Sequence, residues 1–195
     1  MDNGGTITGT NYGILNIESS AIGTITNRGL ISGHQAIYND QECSIATLSN
    51  SGTISGFSDA IYNAASASLG QITNSGLIAG TIDNESASDL SIAGGNGTIF
   101  GTLTGYGNTI GSIINTLSNV NLSGNQLLND NVTLSADFSL NNSGVLAVRN
   151  PITITGNYAQ SAGATLLVDV ANGAKVQAAP GYLSQAGTLR LRQLF

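Results

Sequence analysis

Residues able to carry out chemistry are sparse in this chain. His34 is the one histidine, so any imidazole relay would run through it. It follows Gly33 in a slot that Phe57 and Thr81 fill in the next two repeats, and no G-x-S-x-G turn supplies a nucleophile. That variability reads as a solvated loop residue. Asp83, Glu85 and Asp89 form the tightest acidic group. Calcium needs six to eight oxygens, and neither the EF-hand spacing nor the G-G-x-G-x-D nonapeptide is present, because Gly94-Gly95-Asn96-Gly97 lacks the aspartate. A polar loop is the reading. Cys43 is the one cysteine, which excludes an intrachain disulfide. Glu42 beside it disfavours the thiolate, so the thiol reads as inert. No catalytic residue, metal ligand or cofactor is assigned. Tyr38 and Tyr62 are different: they recur one repeat apart on an outward parity. An aromatic column there is either a surface ladder or a contact for a sugar or a partner.

The bulk composition narrows the setting. Of 195 residues only 8% are charged, 41% are hydrophobic, 26 are Gly and 2 are Pro. Low charge with much to bury argues against disorder, and frequent Gly against long helices. The net charge of −6, from 5 basic and 11 acidic residues, makes nucleic acid an improbable partner. No apolar run reaches the length of a membrane-spanning helix. Met1-Asp2 leads straight into a repeat without a basic, apolar leader, which we read as a cut end.

The elements that position these residues are repeats. Asn3-Gly4-Gly5-Thr6-Ile7-Thr8-Gly9, Asn27-Arg28-Gly29-Leu30-Ile31-Ser32-Gly33, Asn50-Ser51-Gly52-Thr53-Ile54-Ser55-Gly56 and Asn74-Ser75-Gly76-Leu77-Ile78-Ala79-Gly80 are four copies of N-x-G-x-I-x-G. They start 24, 23 and 24 residues apart. A second motif, I-x-N, keeps step at Ile14-Asn16, Ile37-Asn39, Ile61-Asn63 and Ile82-Asn84. A period of this size in two motifs signals a solenoid. Each period offers three short strands separated by turn residues, centred in the third coil on Leu48, Ile54 and Ile61. The fold class is therefore all-β, a parallel β-helix with three strands per coil.

Stacking predicts a core column through Ile7, Ile31, Ile54 and Ile78, continued by Ile99 of a fifth copy, Gly95–Gly101. It predicts a corner ladder of Asn27, Asn50 and Asn74, whose amides bond to one another and to local backbone. Gly at the fixed offsets is expected to supply positive φ at the bends. The regular part runs over residues 3–101 and an irregular part over 102–143. Asn142-Ser143-Gly144-Val145-Leu146 restores the motif with Leu in the Ile position. From 144 to 195 the strands become longer and more apolar, with a loop from Ala171 to Gly181 and a last strand at Thr188-Leu189-Arg190-Leu191, and we expect a terminal cap.

Two stretches resemble a known family. N-x-G-x-I-x-G followed by A-I-Y-N resembles repeats in passenger domains of bacterial autotransporters of the AIDA-like adhesin type. Gly156-Asn157-Tyr158-Ala159-Gln160-Ser161-Ala162-Gly163-Ala164-Thr165-Leu166 resembles the folding-nucleating segment near the end of those passengers. The resemblance implies a right-handed parallel β-helix over 1–143 and an autochaperone-like cap over 144–195. The cap departs from the family at Leu189-Arg190-Leu191-Arg192-Gln193-Leu194-Phe195, which reads as truncated. The resemblance also implies a cell-surface or secreted protein of a Gram-negative bacterium, exported with a translocator barrel. Its expected role is adhesion, aggregation or biofilm formation through a host-cell receptor, a glycan or self-association. The alternatives are an inert truncated remnant and a polysaccharide-active β-helix enzyme. The latter needs gathered carboxylates or basic residues, yet four of the five basic residues, Arg149, Lys175, Arg190 and Arg192, lie beyond the regular coils.

Overall fold

A computed structural model describes residues 1–178 and 183–192. The chain is all-β, with 62% of residues in strands wound into a parallel solenoid of about 8 turns. One 9-stranded sheet takes one strand from each coil: Asp2–Asn3, Ala21–Asn27, Ser44–Asn50, Ser68–Asn74, Leu90–Ala93, Val120–Ser123, Ser139–Asn142, Asn157–Gln160 and Leu183–Gln185. A 13-stranded sheet holds the remaining two strands of each coil. In the regular coils those two run on as one bent strand, Leu30–Asn39 and then Thr53–Asn63, with a register shift between Gly33 and Gln35 at the bend.

The inward parity forms the core. Ile7, Ile31, Ile54 and Ile78 pair in register, and Ile31, Ile54 and Ile78 are fully buried. Burying each such side chain contributes about 1.5–3 kcal/mol. Ile14, Ile37, Ile61 and Ile82 make a second column. Ile25, Leu48 and Ile72 make a third in the other sheet.

The Ile78 column does not continue through Ile99, which is 53% exposed. Leu103 pairs with Ile78 instead, and Leu128 and Val148 follow. Residues 94–100 imitate the repeat, but Gly95 forms only an isolated antiparallel bridge to Asn125, so this copy is looped out of the coil. Downstream, Asn142 rebuilds the corner, its Oδ1 accepting from the Gly144 amide as Asn3 Oδ1 does from Gly5. Leu146, however, pairs with Gln126, and the column of Ile78 passes through Val148. Strands beyond residue 144 pair in parallel with the coils before them. Of the loop expected at 171–181, Val176–Ala178 is a strand paired with Ile152–Thr155. Gly181 and the terminal Gln193-Leu194-Phe195 lie outside the described residues.

The repeat glycines act through space rather than through φ. Among those of the four regular copies only Gly80 has a positive φ, 127°. A Cβ built on Gly52 would lie 2.2 Å from the carbonyl oxygen of Gly29, and one on Gly76 would lie 2.2 Å from that of Gly52. Each turn thus presses against the backbone of the turn before it. Gly52→Ala is expected to lower stability by about 2–4 kcal/mol, because backbone on both sides must yield. Urea melts of the variant and the parent measure this, with Gly4→Ala, where a Cβ meets nothing within 4 Å, as the neutral comparison.

Candidate functional site

The corner residues form two continuous amide ladders inside the rod. In the first, Asn3 Nδ2 donates to Asn27 Oδ1 at 2.7 Å, Asn27 to Asn50 at 2.8 Å and Asn50 to Asn74 at 2.8 Å. Each amide also reaches the next coil's backbone, as Asn27 Nδ2 does at Thr53 O and Asn50 Nδ2 at Leu77 O. The second ladder was hidden in the I-x-N motif. Asn16 donates to Asn39, Asn39 to Asn63 and Asn63 to Asn84, at 2.8, 2.7 and 2.7 Å, and Asn84 continues to Asn115 at 2.6 Å. Ile113-Ile114-Asn115 carries the same motif, so its place was readable from sequence. Every rung is buried, so each bond replaces one that water would make.

Outside, aromatic rings stack across the coils. Tyr38 and Tyr62 lie parallel, with centroids 4.9 Å apart and planes 19° apart. Tyr12 adds an edge-on ring 5.1 Å from Tyr38. Its register partner is Gln35 rather than Tyr38, so repeat spacing did not reveal it. Tyr62 donates its hydroxyl to Glu85, and burial first, then that carboxylate, raises its pKa. A second row runs along the bend. His34 lies 5.6 Å from Phe57, and Phe57 lies 5.4 Å from Tyr106. His34 is exposed, and Ser58 Oγ sits 3.1 Å from its Nδ1. Phe57 and Tyr106 are 65% and 49% exposed, so the row is open to solvent along its length.

The acidic residues separate. Asp83 and Glu85 share the face below Tyr62, where burial and then the charges of Glu85 and Asp59 raise the Asp83 pKa. Asp89 lies elsewhere, just before the strand Leu90–Ala93 of the other sheet, accepting from the Asn119 amide and side chain and from Asn121. Among the described residues no three His, Cys, Asp or Glu gather to hold a metal ion. Cys43 is buried at a turn that Glu42 enters with a φ of 61°.

Sequence reading missed Asp130 altogether. It lies in the bent strand Asn125–Thr133, has no exposed surface, and pairs in register with Gly111. Neither carboxyl oxygen makes a well-aligned hydrogen bond, and the backbone amide of Gly111 acts on the group only weakly. Burial pushes its pKa up to about 8, partly offset by the Gly111 amide. At neutral pH the buried group is therefore held as the uncharged acid. No local pattern in the sequence marks it, since what lies against it is the Gly111 backbone, which itself packs on Gly105.

No family model matches the chain, and comparison with curated proteins and with solved structures found no significant match.

Proposed function

We propose that the chain is part of an autotransporter passenger of the AIDA-like adhesin type. In this reading it is a stiff rod, displayed on or secreted from a Gram-negative cell, that presents a surface for adhesion, aggregation or biofilm formation. Its full-length parent would carry the translocator barrel. The observation that carries the reading is the open row of His34, Phe57 and Tyr106 beside the Tyr12–Tyr38–Tyr62 column. Large rings left in water across several coils are costly to keep exposed and suit contact with another surface. The amide ladders support the rod itself, because each coil bonds its neighbours through buried side chains as well as backbone. The segment Gly156–Leu166 supports the family reading. It folds as a complete part of a coil, with Tyr158 buried and its hydroxyl donating to Gln160.

Beads coated with the purified chain are the test. They should clump, or adhere to cultured epithelial cells, more than beads coated with albumin. Replacing Phe57 and Tyr106 together with Ser should remove most of that effect while leaving the circular-dichroism spectrum unchanged. Parent beads that behave like albumin beads would refute the reading.

A further inference from the structure

The irregular coils build a groove on the outward face of the larger sheet. Its floor is a column of outward-facing residues, one per coil and paired in register: Thr102, Leu127, Ala147 and Leu167. Thr98 and Phe100, from the looped-out segment, and Arg149 complete its lining. The space enclosed is about 440 Å³. A second recess of about 200 Å³ shares Thr102, Leu127 and Arg149 and adds Thr104, Asn108 and Asn150 at its rim.

The lining has a defined chemistry. Leu127, Ala147 and Leu167 give an apolar strip alongside an aromatic edge. Hydroxyls and amides line its borders. Arg149 is exposed and has no ion pair among the described residues. A purely aliphatic ligand would bury Thr98 and Thr102 without partners, which is costly. A purely polar one would leave the apolar strip wet. A sugar ring offers both an apolar face and a rim of hydroxyls. A guanidinium beside it is shaped to take a carboxylate or sulfate in a forked pair. The local charge agrees: residues 101–195 hold Arg149, Lys175, Arg190 and Arg192, whereas residues 1–100 hold only Arg28.

We propose that this groove is a binding site for an anionic oligosaccharide, with sugar rings lying on Leu127, Ala147 and Leu167 beside Phe100 and an acidic substituent held by Arg149. The site shares no residue with the aromatic rows and does not depend on where the chain is displayed, so either idea can fail without the other.

The purified chain is applied to an array of uronate-containing, sulfated and neutral oligosaccharides of matched length. Retention of uronate-bearing or sulfated members over neutral ones is expected, and the two anionic arms tell which acid group is read. Titration calorimetry then follows the best member. Arg149→Gln should weaken it at least about tenfold, the scale of one lost charge-assisted contact. Arg28→Gln removes the same charge at the far end of the rod and should leave the affinity unchanged. Melting curves confirm that both variants fold. Equal retention of neutral and anionic members, or no retention of any, overturns the proposal. So does an Arg149→Gln protein that binds like the parent, or an Arg28→Gln protein that loses as much as Arg149→Gln.

Discussion

Asn50→Ala should cost on the order of 3–5 kcal/mol and shift the urea midpoint of the whole rod, because one truncation leaves several buried groups unpaired. Asn50 is 1% exposed. Its Oδ1 accepts from Asn27 Nδ2, and its Nδ2 donates to Asn74 Oδ1 at 2.8 Å, to Leu77 O at 3.1 Å and to Gly52 O at 3.3 Å. Alanine removes the central member and strands partners in the coils above and below. Asn50→Asp is the sharper comparison. It keeps the shape and the acceptor but loses the donor, and it adds a buried negative charge facing Asn74 Oδ1 and the carbonyls of Leu77 and Gly52. It should be at least as harmful at neutral pH and should recover part of the loss in acid, once protonated. Truncating an exposed amide gives the baseline: Asn96→Ala is expected to change stability by less than about 0.5 kcal/mol. A melt in which Asn50→Ala and Asn96→Ala coincide would mean that the ladder follows the fold rather than holding it.

The second large effect is a pH dependence centred on Asp130. An aspartate in the unfolded chain titrates near 4, whereas burial holds the folded one up to about 8. Below about pH 4 both states are protonated, and the group does not affect stability. Between those values the unfolded chain gives up its proton while the folded chain keeps it. The unfolded state is therefore favoured as the pH rises, by about 1.4 kcal/mol per pH unit. The parent thus keeps its full stability in acid, loses it progressively from about pH 4, and carries the whole penalty once the pH passes the folded value. Asp130→Asn carries no proton to lose, so it should match the parent near pH 4 and exceed it by on the order of 3–5 kcal/mol at pH 8. Urea melts of both proteins at pH 4, 6 and 8 measure this. The other carboxylates cancel in the difference between the two. A constant difference across that range would mean that the carboxyl is hydrated or paired in solution.

What the sequence disclosed and what it withheld divide along a physical line. Asn27, Asn50 and Asn74 could be read because a side chain that bonds to its own kind must recur in the same slot. Ile31, Ile54 and Ile78 could be read because the cross-section they fill is the same at each level. Ile99 misled because residues 95–101 carry the motif, whereas register is set by what the next coil can pair with. Asn74 Nδ2 finds Thr102 O, three residues beyond Ile99. The glycines misled for a related reason: Gly52 is required by the carbonyl of Gly29 beneath it, a neighbour that local turn rules do not see. Tyr38 and Tyr62 were legible as a pair, but Phe57 and Tyr106 meet only because residues 105–109 fold back toward an earlier coil. The groove was hidden most deeply. Its floor depends on Leu127, Ala147 and Leu167 falling into line after the spacing has changed from 25 residues, Leu103 to Leu128, to 20, Leu128 to Val148.

The amide ladders also set a rule for how such a molecule can grow or shrink over generations. Asn27 Nδ2 donates to Asn50 Oδ1 and Thr53 O just as Asn50 Nδ2 donates to Asn74 Oδ1 and Leu77 O at the next level. A gene segment encoding one whole level can therefore be duplicated or excised, and the flanking levels find familiar partners across the joint. A gain or loss of one residue inside a strand instead turns every inward side chain outward. Length in this architecture is inherited in rungs of roughly 4.8 Å, and natural variants should differ in reach by whole rungs.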